Sequence, residues 1–145
     1  MEDFQFIFKA IVGSRAYGTN LPTSDIDYKG IYQQPFNDIL SFKYKDQYQI
    51  GKDESYYEIK RFIELLKTAN PTVLELLYSP EDCILINTNH YKFLSNHRDK
   101  FLTKQCLNSF GGYAVQQIKK AKGLDKKMNW EKNRIERKKL LEKKF

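Results

Sequence analysis

A mixed α/β fold, with a small sheet flanked by helices and followed by a basic helical extension, is predicted by three features of this 145-residue sequence. Residues 6–12, Phe-Ile-Phe-Lys-Ala-Ile-Val, form an apolar, β-branched and aromatic run that stops at Gly13-Ser14, as a buried strand entering a tight turn does. Residues 56–69 and 103–122 carry apolar positions at helical spacing. Charge is unevenly spread. From Ile118 to Phe145 there are 12 Lys/Arg against 4 Asp/Glu, a balance of +8 within a total of +7, which leaves the rest of the chain near −1.

Taken in order, the first strand leads into the turn, and Leu21-Pro22-Thr23-Ser24 is loop chemistry. Residues 25–32 then resume strand alternation, with Ile26 on one face and Asp25 and Asp27 on the other. Residues i and i+2 of a strand lie roughly 6–7 Å apart on one face, from where short carboxylates can converge on a divalent ion. Two carboxylates held that close repel each other, so the pair suggests a hard cation with oxygen ligands that is shared with substrate phosphates. Gly13 lets a phosphate approach the backbone, and the Ser14 hydroxyl and turn amides are donors for an anion. Strand, Gly-Ser and Asp-x-Asp together read as a phosphate and metal site.

Two other motif readings fail on the letters. Gly13 and Gly18 have P-loop spacing, but Thr19-Asn20 stands where Lys-Ser/Thr is needed. The run from Asp25 to Gly30 begins like an EF-hand loop, yet Lys29 and Phe36 occupy positions that require oxygen ligands.

The residues also carry a resemblance. G-S followed by D-x-D on a strand-turn-strand frame resembles the DNA polymerase beta-type nucleotidyltransferase superfamily. G-S-R-A-Y-G-x(5)-S-D-x-D-x-x-G, together with the later A-N-P-T-V-L-E-L-L-Y, is similar to its predicted minimal nucleotidyltransferase branch, some members of which are linked to RNA repair. The resemblance covers roughly the first 125 residues. It implies a small mixed sheet of the nucleotidyltransferase type and transfer of a nucleoside monophosphate from an NTP, ATP foremost, with Mg²⁺ or Mn²⁺; the acceptor hydroxyl, on an RNA end, a protein or a small molecule, stays open, with the basic tail favouring RNA. It implies Gly13 and Ser14 on the phosphates, Asp25 and Asp27 on the metal, and a third acid on a neighbouring strand. Related chains continue into a further helical half, so this one reads as a short or truncated member.

The third acid is Asp53 on this reading, with Glu58 and Glu54 as alternatives. Asp53 or Ser55 could instead cap a helix starting near Tyr56. Arg15 is the nearest cation to neutralise the triphosphate, and Tyr17 stands where it would line the pocket. Between them and the helix, Gln33–Asp38 is a connection, Ile39-Leu40 starts a short helix or strand, and residues 44–50 form a strand ending at Gly51 that neighbours the Asp-x-Asp strand.

In the helix at 56–69, Ile59, Phe62, Ile63 and Leu66 face the sheet. Asn70-Pro71 caps and opens a short buried helix over 72–78, in which Glu75 is the odd charge, a partner for Arg15 or Lys29 or a solvent-facing residue. Residues 82–87 read as a strand, Thr88–His90 as a cap and 91–97 as a helix. The last helix, 103–122, sets Leu107, Phe110, Ala114, Ile118 and Ala121 on one face, ends at Gly123, and needs close packing or a kink to explain Gly111-Gly112. Domains are placed at 1–102 for the core and 103–145 for the basic extension.

No apolar run reaches membrane-spanning length, and the acidic start Met1-Glu-Asp lacks the basic character of a leader. Cys83 and Cys106 sit in no metal-binding spacing and read as plain buried thiols of a reduced, cytoplasmic protein. The basic segment from Lys126 to Phe145 has two readings, an electrostatic footprint for RNA or a solvated helix with an Ile135 and Leu140 or Leu141 stripe; Trp130 is taken as a packing anchor. The alternative function is a nucleic-acid-binding or catalytically silent regulatory domain.

Overall fold

A computed structural model gives the architecture for residues 4–142, less the side chains at 121, 124–130, 133 and 136–142 of the last helix. Five strands, β1 (Gln5–Val12), β2 (Asp27–Gln33), β3 (Gln47–Ile50), β4 (Glu54–Glu58) and β5 (Ile84–Asn87), form one sheet in the order β3-β4-β2-β1-β5. The β2–β4 pair is parallel and the others are antiparallel, which makes the sheet mixed, as expected. The helices are α1 (Phe36–Leu40), α2 (Ile59–Lys67), α3 (Pro71–Leu77), α4 (Asn89–Asn96) and α5 (Gln105–Glu142). Two compact units are present, Met1–Ser109 and Phe110–Phe145.

The core of the first unit packs Phe8, Ala10 and Ile31 of the sheet with Phe62 and Leu66 of α2, Val73, Leu74 and Leu77 of α3, and Tyr91 of α4. Burying a side chain such as Phe62 or Leu66 is worth roughly 1.5–3 kcal/mol. Phe8 and Tyr91 stack with ring centroids 3.8 Å apart. A register break between Phe6 and Phe8 interrupts alternation, and Ile7 and Phe8 are both buried. As expected, Asn70 caps α3, its side chain accepting from Val73 N at 3.3 Å, and Pro71 opens the helix.

Three expected elements differ. Residues 54–58 are a strand rather than the start of a helix: Tyr56 and Glu58 are buried in alternation, and helical spacing begins only at Ile59. Glu58 itself is the N-cap of α2, accepting from Lys60 N at 2.7 Å. The strand at 47–50 therefore pairs with β4 and lies at the sheet edge, so β4 and not β3 neighbours the Asp-x-Asp strand. The last helix does not stop at Gly123. One glycine costs about 1 kcal/mol relative to alanine, too little to end a run so rich in Lys, Glu and Leu.

Among the described residues nothing stands within 4 Å of a Cβ built on Gly111 or Gly112, so the close packing expected for them is not found there. Leu107, Phe110 and Ile118 are exposed rather than packed, as is Ile135, while Ala121, Trp130, Leu140 and Leu141 lie outside the described side chains. Cys83 is buried, Cys106 is half-buried against the core, and both are free thiols. No helix among the described residues is long and apolar enough to cross a membrane.

Candidate active site

Where β1 ends, the chain makes a single turn of 3₁₀ helix, Gly13–Arg15, with Gly13 at φ +72°. That conformation is left-handed, and only glycine adopts it at little cost. Val12 pairs with Asp27 across the sheet, so the turn begins beside the first residue of β2. A Cβ on Gly13 would stand 2.8 Å from Asp27 Oδ2, closer than real Cβ contacts. The Asp27 carboxylate is thus seated against the bare backbone of the Gly-Ser turn.

The turn is fastened to the loop that follows it. Arg15 Nη2 donates to Ser24 O at 3.1 Å, and Ser24 Oγ accepts from Leu21 N at 2.8 Å. Among the described residues, Arg15 Nε is buried without a hydrogen-bond partner, an arrangement that costs roughly 1–3 kcal/mol unless a bound group satisfies it. Tyr17 is exposed, and its hydroxyl donates to Glu75 Oε2 on α3 at 2.8 Å.

Lys29, two residues beyond Asp27 on the same strand face, is half-buried. Burial holds its ammonium below the usual lysine range, while the Glu75 and Asp27 carboxylates pull the other way. Glu75 is solvent-facing, as one of its expected alternatives had it, and from there it accepts from Tyr17 and acts on Lys29. Sequence reasoning treated Lys29 only as a partner for Glu75; the signal for more was its i+2 spacing from Asp27.

The other expected residues separate. Asp25 precedes β2, which begins at Asp27 rather than at Asp25, and is exposed. Asp53 is also exposed, in the turn before β4; its carbonyl accepts from Tyr28 N at 2.7 Å, which sets it at the Asp27 end of the sheet. Glu54 is opposite Tyr28, on the face away from Asp27, where the Tyr56 hydroxyl donates to it and Lys9 Nζ lies 3.7 Å away. Glu58 is buried opposite Tyr32, five residues up β2 from Asp27 or about 17 Å along a strand, and accepts from Tyr44 Oη at 2.8 Å.

Asp25, Asp27 and Asp53 thus share one end of the sheet, although among the described residues no three His, Cys, Asp or Glu are assembled into a metal-binding group. The donors are nonetheless those of a hard cation. Mg²⁺ is commonly held by one or two carboxylates, substrate phosphates and several waters rather than by a protein cage. An oxygen donor against a side-chain-free turn, and an unsatisfied Arg15 Nε within that same turn, fit such an ion and a phosphate.

The chain is similar to an uncharacterized 38.9 kDa protein of the nrdC-mobD intergenic region of Enterobacteria phage T4, at 28% identity over 128 residues, covering 79% of this chain and 38% of the phage protein. It therefore spans about two fifths of the length of that relative. No solved structure matches it. A family model described as the RNA repair pathway DNA polymerase beta family matches residues 1–141, and the chain belongs to that family.

Proposed function

We propose that the protein is a Mg²⁺-dependent nucleotidyltransferase that moves a nucleoside monophosphate from an NTP, ATP foremost, to a hydroxyl at an RNA end. The observation that carries this reading is the seating of the Asp27 carboxylate against the Gly13 turn, which joins a metal-binding oxygen to an anion-binding backbone. The RNA acceptor is drawn from the family's description and from the basic C-terminal segment.

In this reading Gly13 and Ser14 hold the β- and γ-phosphates, the glycine by leaving room and the serine by donating its hydroxyl. Arg15, and Lys29 held between Glu75 and Asp27, offset charge on the triphosphate. Tyr17, tied to Glu75, lines the nucleotide pocket. Asp25, Asp27 and Asp53 would hold Mg²⁺, which when bound polarises the α-phosphate and favours deprotonation of the acceptor hydroxyl. The acceptor oxygen bonds to the α-phosphorus, the bond to the bridging oxygen breaks, and pyrophosphate leaves.

The test is transfer of label from each of four α-labelled NTPs to total RNA, to the protein itself and to a cell extract, with and without Mg²⁺. Incorporation into RNA that is lost in Asp27→Asn is the expected result. Full transfer in both Asp25→Asn and Asp27→Asn would overturn it.

A further inference from the structure

Lys29 is placed where it could block a site that must receive a cation. It follows Asp27 by two positions on β2, on the same face and roughly 6–7 Å along the strand. A lysine stem is long and flexible enough to fold back over that distance, and an ammonium on the Asp27 carboxylate would occupy the oxygens a metal needs. Lys29 is half-buried, so water screens such a pair only in part.

Glu75 opposes this closure from the other side. Ala10, the partner of Lys29 on β1, and Ile31, two residues along β2, pack with Val73, Leu74 and Leu77 of α3. That helix therefore lies over the face that carries Lys29, and Glu75 is the one charged residue among Pro71–Leu77. The fold does not require it: Glu75 faces solvent while Val73, Leu74, Leu76 and Leu77 supply the packing. Its carboxylate is nonetheless held, since Oε2 accepts from Tyr17 Oη at 2.8 Å and Tyr17 N donates to Gly13 O at 3.2 Å, which ties the contact to the Gly-Ser turn. Glu75 and Asp27 both attract the Lys29 ammonium, and the pull of Glu75 is the larger. Other cations of this end of the sheet are engaged elsewhere: Arg15 Nη2 donates to Ser24 O, and Lys9, on the opposite face, lies 3.7 Å from Glu54.

We infer that Glu75 is a positioning residue for the cation site: held by Tyr17, it draws Lys29 toward α3 and so keeps the Asp27 carboxylate open to a divalent ion. The inference rests on the proposed reading of Asp25, Asp27 and Asp53 as metal-holding residues, and adds a residue that acts on the ion through Lys29 rather than by touching it. Groups that act on a metal through its ligands are typically worth ~10- to 100-fold in affinity. The exposure of Glu75 puts it at the low end of that range.

The experiment is a titration of the full chain with Mn²⁺ alone, read by the loss of the free ion's electron paramagnetic resonance signal, with the melting temperature of each variant recorded beside it. Glu75→Gln keeps an oxygen for the Tyr17 hydroxyl and removes only the charge. It should bind Mn²⁺ about 10-fold more weakly at an unchanged melting temperature. Lys29→Met removes the competing ammonium and should bind at least as tightly as wild type. Glu75→Gln added to Lys29→Met should then change affinity by less than about twofold, because the two residues act as a unit. In transfer assays Glu75→Gln should need more Mg²⁺ for half-maximal rate, and saturating Mg²⁺ should restore the rate.

Wild-type Mn²⁺ affinity in Glu75→Gln would overturn the inference and leave the metal site standing. Affinity that stays low in the double variant would overturn it as well, by making Glu75 a ligand of the ion. A melting temperature that falls with the affinity would make the role structural. Absence of Mn²⁺ binding by the wild type, or binding untouched by Asp27→Asn, would instead remove the metal site of the proposed reading, and the inference with it.

Discussion

Gly13 and Asp27 are locked together: the glycine's backbone is left-handed, and the space where its side chain would stand lies 2.8 Å from the Asp27 carboxylate. Two independent demands on one position converge, one from dihedral angle and one from volume. Gly13→Ala is expected to cost roughly 1–2 kcal/mol from the backbone alone and to displace the carboxylate, so that transfer falls further than stability does. Urea denaturation beside a transfer assay checks it, and wild-type transfer in a folded Gly13→Ala protein would contradict the seating.

Asp53 and Glu58 make opposite predictions. Asp53→Asn, at the Asp27 end and exposed, should reduce transfer on the order of 100-fold with little change in melting temperature. Glu58→Gln, which weakens the cap of α2 and the Tyr44 contact, should cost roughly 1–2 kcal/mol while leaving transfer near wild type at temperatures where it is folded. Reversal of the two outcomes would make Glu58 the third acid.

Gly30 lies where β2 crosses β1 closely: a Cβ there would be 2.3 Å from the Phe8 carbonyl oxygen and 3.2 Å from Lys9 Cα. Both neighbours are backbone and cannot swing aside. Gly30→Ala should therefore cost roughly 3 kcal/mol or more, read as a lower urea midpoint. A loss below about 1 kcal/mol would mean that the strands can part.

Tyr91 predicts an alkaline limit. Burial pushes its hydroxyl up to about 12 from the usual 10, and the neutral form donates to Leu76 O at 2.8 Å. A folded value raised above the unfolded one gives stability that is full below the unfolded pKa and is lost as pH rises through the folded one. Tyr91→Phe should be less stable than wild type by about 1 kcal/mol at neutral pH, with the gap narrowing between pH 10 and about 12. A pH-independent gap across that window would refute the assignment.

The site's first half was legible because its chemistry is local: Gly-Ser after an apolar strand, then Asp-x-Asp, is a short-range pattern, and so is the Asn70-Pro71 cap. The rest was hidden where periods overlap. Residues 54–58 alternate as a strand, but Tyr56 also falls in register with the helical positions Ile59, Phe62 and Ile63 that follow. Assigning it to the helix shortened the sheet by one strand and moved β3 next to β2. Asp25 was placed in the strand by extrapolating alternation past its first paired residue.

The sheet also dictates when the site can exist. β1 is an inner strand, paired with β2 on one side and β5 on the other, and the Thr88 hydroxyl reaches back 81 positions to donate to Ile7 O. The Gly-Ser turn hangs from the end of that strand. During synthesis, these chemistry-bearing residues leave the ribosome well before β5 and must wait for it before their supporting strand is held on both sides. Closing so long a loop is slow, so the turn is among the last parts of the first unit to be secured.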